Sequence, residues 1–114
     1  MAISAFKLFR VRKNKSLGPL FINKKQVIPL NVWLPAEDHP TKGFAHRPGW
    51  HAAPLPHAPH LKVSCERVWC EVKLKNVKPF RRPEIQGGEW YLAQHMFVIR
   101  MIPQNEVNMI NGVV

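Results

Sequence analysis

The sequence predicts an α+β domain that is mostly β: one small domain of curved antiparallel sheets with short helices at most. Three observations carry this. Arg67-Val68-Trp69-Cys70-Glu71-Val72-Lys73-Leu74 alternates apolar and polar side chains at the two-residue period of a strand. Ala5 to Arg12 divides in the same way, with Phe6, Leu8, Arg10 and Arg12 on one face and Lys7, Phe9 and Val11 on the other. No window of useful length shows the 3.6-residue period of a helix.

In chain order, Ala5 to Arg12 is a strand with a basic end, and Lys13 to Gly18 is a polar loop. Pro19 to Asn23 and Gln26 to Leu30 flank Asn23-Lys24-Lys25 as a hairpin, with Pro29 at its edge. Asn31 to Leu34 is a third short apolar run, stopped by Pro35. Glu37 to Gly43 is rich in turn residues. Arg67 to Leu74 is the strongest strand, and Lys75 to Gly88 reads as a connection with two prolines and a Gly87-Gly88 pair. Trp90 to Ala93 and Met96 to Met101 read as two strands about a bend or bulge at Gln94-His95. A helix fits only briefly, near Pro56 to Val63 or Glu106 to Ile110.

With 114 residues, 46% of them hydrophobic and 21% charged, the chain holds one modest core. Residues 1–103 form the globular domain and 104–114 a C-terminal tail. No apolar run approaches the ~20 residues that span a bilayer. Met1 to Lys15 carries no apolar block followed by a cleavage site. A cytoplasmic protein without membrane contact is expected, with Cys65 and Cys70 as reduced thiols.

Charge narrows the partners. Seventeen Lys and Arg against seven Asp and Glu give +10, and no acid precedes Glu37. A segregated excess of this kind favours an anionic partner: nucleic acid, a nucleotide or an acidic protein surface. Arg12, Lys13, Lys15, Lys24 and Lys25 are the candidate anion contacts, interleaved with Phe6, Phe9 and Phe21. Those three rings are also ordinary core candidates. No RNA- or DNA-binding signature accompanies them.

The chemistry-bearing stretch is Phe44 to Leu61, which holds four of the six histidines and four of the eleven prolines. Proline density excludes a regular helix and lowers the cost of ordering a loop. Gly49 permits a sharp turn that aims Trp50 and His51. His57 and His60 lie three apart, with His46 and His51 upstream, but no further ligand stands at a recognisable zinc spacing. No metal is expected.

Glu89 adds a carboxylate at the start of an apolar strand. A basic first strand, an aromatic-histidine turn and that carboxylate are parts that glycosidic cleavage needs. Phe9-Arg10-Val11-Arg12, Pro48-Gly49-Trp50-His51-Ala52 and Gln86-Gly87-Gly88-Glu89-Trp90-Tyr91-Leu92-Ala93 resemble, in order, the three motifs of the ADP-ribosyltransferase-like superfamily. The chain departs from that pattern in Ala52-Ala53, where serine or threonine is common. It departs again at Gln86, three residues before Glu89 rather than two. The resemblance implies NAD as cofactor, bound by Arg10, Trp50 and Gln86. Glu89 and His51 would be the catalytic pair, and the acceptor a nucleic acid or protein. The alternative is a non-enzymatic basic module that binds RNA, DNA or an acidic protein surface.

Overall fold

The computed structural model describes residues 2–19, 26–36, 49–57 and 66–112. The first alternating stretch is strand β1, Ile3–Val11. A tight turn follows, in which Asn14 Oδ1 accepts hydrogen bonds from the Ser16 amide at 3.1 Å and its hydroxyl at 2.7 Å. The chain returns as β2, Leu17–Gly18, antiparallel to β1. The polar loop expected over 13–18 therefore ends two residues early. The hairpin expected at Asn23-Lys24-Lys25 lies outside the described residues. Beyond it Ile28 bridges Leu17, and β3, Trp33–Pro35, follows.

Of the proline- and histidine-rich stretch, residues 49–57 are described. They contain β4, Trp50–Ala52. Gly49 takes φ +132°, and a Cβ there would lie 2.8 Å from Leu92 Cδ1. Glycine thus lets the chain enter β4 close against its neighbour.

Strand β5, Arg67–Arg81, runs well past the expected end at Leu74. The stretch 75–81, expected as a connection, is strand despite Pro79. The reason lies in the pairing: β1 leaves β5 at Ile3↔Leu74, and β6 continues alone to Arg81↔Glu89. Past Leu74, β5 has no strand partner on that edge among the described residues, and a missing N–H is tolerated there. Strand β6, Glu89–Met101, is one continuous strand rather than two. It carries a bulge at Ile99, since Glu71 pairs with Arg100 but Val72 with Val98.

The sheet order is β2-β1-β5-β6-β3, all antiparallel, with β4 also paired to β6. Ala53, just after β4, exchanges two 2.8 Å backbone bonds with Phe6 of β1. The sheet therefore curls into a half-barrel whose two edges are stitched together by residues 50–53. This is the mostly β, curved antiparallel domain that the alternation predicts.

Its inner face is the main core: Ala5, Phe9, Trp50, Ala52, Cys70, Val72, Leu74, Ala93, Met96 and Val98. Each large apolar side chain so enclosed contributes about 1.5–3 kcal/mol. Within the segment expected as a tail, the brief helix expected near Glu106 to Ile110 is α1, Gln104–Ile110. Val107 is buried with Ile102, Leu8, Ala53, Trp69 and Trp90 in a second cluster. Asn111 Nδ2 ties the helix end to the Pro56 carbonyl at 3.1 Å.

Candidate nucleic-acid interface

The residues that the transferase resemblance singles out do not meet. Arg10 pairs across the sheet with Arg67, the first residue of β5, whereas Glu89 pairs with Arg81, the last. Arg10 is half-buried and already partnered within the fold. Glu89 is exposed and lies 3.5 Å from the Arg81 guanidinium. Trp50 is part of the inner core, 8% exposed, and its Nε1 donates to the Leu34 carbonyl at 3.0 Å. Its ring is not offered to a ligand. His51 lies on the other face of β4, its ring 5.4 Å from that of Phe80. Gln86 belongs to a short 3₁₀ turn, where its carbonyl accepts from Trp90 Nε1 at 2.7 Å.

The expected anion contacts divide as well. Arg12 donates to the Leu17 carbonyl at 2.9 Å and the Gln26 carbonyl at 2.6 Å, so its guanidinium clamps main chain. Lys13 and Lys15 are exposed in the β1–β2 turn, where Lys15 takes φ 71°. Lys24 and Lys25 lie outside the described residues, as do His46, His60 and Cys65. His57 is exposed. Among the described residues no three of His, Cys, Asp and Glu gather within reach of one ion.

Lys7 is the unexpected cation of the interior. It faces inward from β1, directly across from Cys70. Its ammonium donates to the His51 carbonyl at 2.6 Å. Burial, and then the nearby charge of Arg82, lower its pKa from 10.5 to about 8. Burial also pushes the Cys70 thiol up to about 12. Arg82 itself lies over the rings of Trp90 and Phe80, at 5.2 and 5.6 Å from their centroids. These groups are engaged in holding the barrel.

The outer face of β5, β6 and β3 is different. Its side chains form cross-strand rows. Leu8, Trp69 and Ile102 lie under α1. The next row holds Glu71 and Arg100. Arg100 Nε donates to Glu71 at 3.0 Å, and Arg100 also pairs with Glu106 of α1. The hydrogen bond to Glu106, then that to Glu71, raises the Arg100 pKa further above its ordinary value.

Beyond this ion network no described helix or strand is packed over the face. Ser4, Lys73, Phe97 and Trp33 stand in one row across β1, β5, β6 and β3. Lys75, His95 and Pro35 form the next. Trp33 and Phe97 are half-buried, with centroids 5.4 Å apart and planes inclined at 51°. Neither ring belongs to the inner or the outer apolar cluster. The Lys75 ammonium lies over the Trp33 ring, 4.1 Å from its centroid. Lys73, Lys75 and Lys78 are exposed along β5. Glu71 and Glu106 are turned to Arg100, and Glu84 and Glu89 to Arg81.

Sequence reasoning passed over this face. Lys73 was legible as a polar-face residue of β5, but Lys75 fell in a presumed connection. Trp33 and Phe97 lay in separate apolar runs, and their adjacency follows from the β3–β6 register.

Compared with protein-family models, with curated proteins and with solved structures, the chain matches none.

Proposed function

We propose that this chain is a non-enzymatic module that binds nucleic acid through the outer face of β5, β6 and β3. The observation that carries the reading is the Trp33–Phe97 pair, two half-buried rings that belong to neither apolar cluster of the described residues and are flanked by Lys73 and Lys75. Lysine ammonium groups neutralise phosphates, and exposed aromatic rings accept bases. The formal charge of +10 draws a polyanion to the molecule, with Lys13 and Lys15 adding to the field. An enzyme that transfers ADP-ribose needs its cation, aromatic ring and carboxylate around one substrate. The separation of Arg10 from Glu89 and the burial of Trp50 lend that reading no support.

The test is binding of a fluorescent oligonucleotide over a range of salt concentration. Affinity should fall steeply with salt. Replacing Lys73, Lys75 and Lys78 together by Gln should reduce the slope of log K against log salt by about 2. An unchanged slope, or no binding at low salt, would overturn the assignment. A thermal-shift titration with NAD serves as the contrast and should leave the transition in place.

A further inference from the structure

Resting on the nucleic-acid reading, we infer that the ligand is an extended single strand of nucleic acid. One base stacks on Trp33, and Lys75 leaves the Trp33 ring to take the adjoining phosphate.

The spacing of the face favours a single strand. Successive outward rows of a strand are about 6.6–6.8 Å apart. That is about twice the ~3.4 Å rise per nucleotide of a stacked strand. Adjacent nucleotides placed at the Trp33–Phe97 row and at the His95–Pro35 row would be unstacked from each other, which a duplex does not allow. The rings also need base faces rather than edges. Trp33 and Phe97 present a tilted, half-buried pair, to which an unpaired base can bring its face once Lys75 has moved.

The contact of Lys75 with Trp33 makes the exchange favourable. In the free protein the ammonium covers the indole at 4.1 Å. An exposed cation–π contact is worth about two- to fivefold in an equilibrium constant. A base stacked on an aromatic ring is worth roughly tenfold or more, and the released ammonium gains a phosphate in addition. Lys75 thus keeps the ring covered until a ligand supplies both a base and a phosphate. Lys73, opposite Phe97 in the same row, holds the neighbouring phosphate.

Intrinsic fluorescence reports the contact directly. Of the four tryptophans, Trp50, Trp69 and Trp90 are buried and Trp33 is half-exposed. Titration with an oligo-dT of about fifteen nucleotides should quench emission, and Trp33→Phe should remove the quenching while keeping most of the affinity. Trp33→Ala should lower affinity roughly tenfold. Lys75→Met should lower the salt slope by about 0.7. Duplex DNA of equal length should bind more weakly than oligo-dT. Duplex bound as tightly as oligo-dT, with Trp33→Ala unchanged, would overturn the single-strand inference and leave the basic nucleic-acid module standing. Absence of binding to both would overturn the underlying reading itself. Far-ultraviolet circular dichroism of each variant guards against loss of fold, and Trp33→Phe serves where the alanine variant does not fold.

Discussion

Lys7→Met should alter the pH dependence of stability more than it alters stability at neutral pH. The Lys7 ammonium is enclosed, and its pKa is lowered from 10.5 to about 8. Unfolding returns it to water and to the ordinary value. Below about pH 8 both states carry the proton, so the full penalty for burying the charge is present. Between about 8 and 10.5 the unfolded chain binds more protons than the fold, and stability rises with pH. Above 10.5 neither state carries the proton and the relief is complete. The gap between the two values corresponds to roughly 3 kcal/mol. Methionine of similar shape removes the charge, but it also leaves the His51 carbonyl without its 2.6 Å donor. A lost buried hydrogen bond costs about 1–3 kcal/mol. The two effects oppose each other, so a small net change is expected at pH 7.

The diagnostic quantity is therefore the difference between wild type and variant as pH changes. Urea unfolding at pH 7, 8, 9 and 10 measures it, with surface titrations common to both proteins cancelling. Wild type should gain most of the roughly 3 kcal/mol on the variant by pH 10. Cys70, directly across from Lys7, acts with the opposite sign. Its thiol is raised from 9.0 to about 12, so the stability it contributes is full below about 9 and falls as pH rises through 12. In wild type the two slopes offset each other between about 9 and 10.5 and leave a plateau. Cys70→Ala should turn that plateau into a continued rise. Wild-type and Lys7→Met curves that run parallel from pH 7 to 10 would show that Lys7 is not held as a desolvated ammonium.

Two further substitutions follow from the geometry. Gly18→Ala puts a Cβ into the Arg12 guanidinium, which is fixed by its bonds to Leu17 and Gln26. It should cost roughly 1–3 kcal/mol in a denaturant titration, and the loss should be much smaller when Arg12 is already alanine. Glu89→Gln removes one arm of an exposed ion pair with Arg81 and should change stability by less than about 1 kcal/mol; a loss several times larger would assign Glu89 a role that its exposure does not suggest.

How much of this was legible depends on the range of the interactions involved. Arg67 to Leu74 announced itself because its alternation is local and both of its faces have distinct environments. The extension of β5 to Arg81 was hidden by Pro79, which ordinarily ends a strand. Its tolerance depends on β1 ending at Ile3↔Leu74, a fact about another part of the chain. The inward ammonium of Lys7 has no local signature, since its acceptor is the carbonyl of His51 on another strand. Trp50 looked aimed at a cleft because a flexible Gly49 precedes it. The same geometry instead lowers the indole into the core toward the Leu34 carbonyl. Arg12 looked like a surface cation, but its partners are main-chain carbonyls brought near by the turn that follows it.

A departure from alternation bounds the candidate interface at its far end. Leu74 and Val77 both pack against the inner core, three residues apart rather than two, and so do Ala93 and Met96 on the facing strand. Strict alternation from Val77 would carry Lys75 and Lys73 inward. From Ala93 it would carry His95 and Phe97 inward too. Both strands change facing between those positions, where Asn76 takes φ 53°. Asparagine is among the few residues with a side chain that accept this left-handed conformation readily. Alternation with inward Val72 and Leu74 on β5, and with inward Met96 and Val98 on β6, keeps Lys73, Lys75, His95 and Phe97 on the outer face together, and the local turn at Asn76 ends that run. The β3–β6 register then sets Trp33 beside Phe97. Two lysines that would be costly inside thus form the cationic border of an aromatic surface.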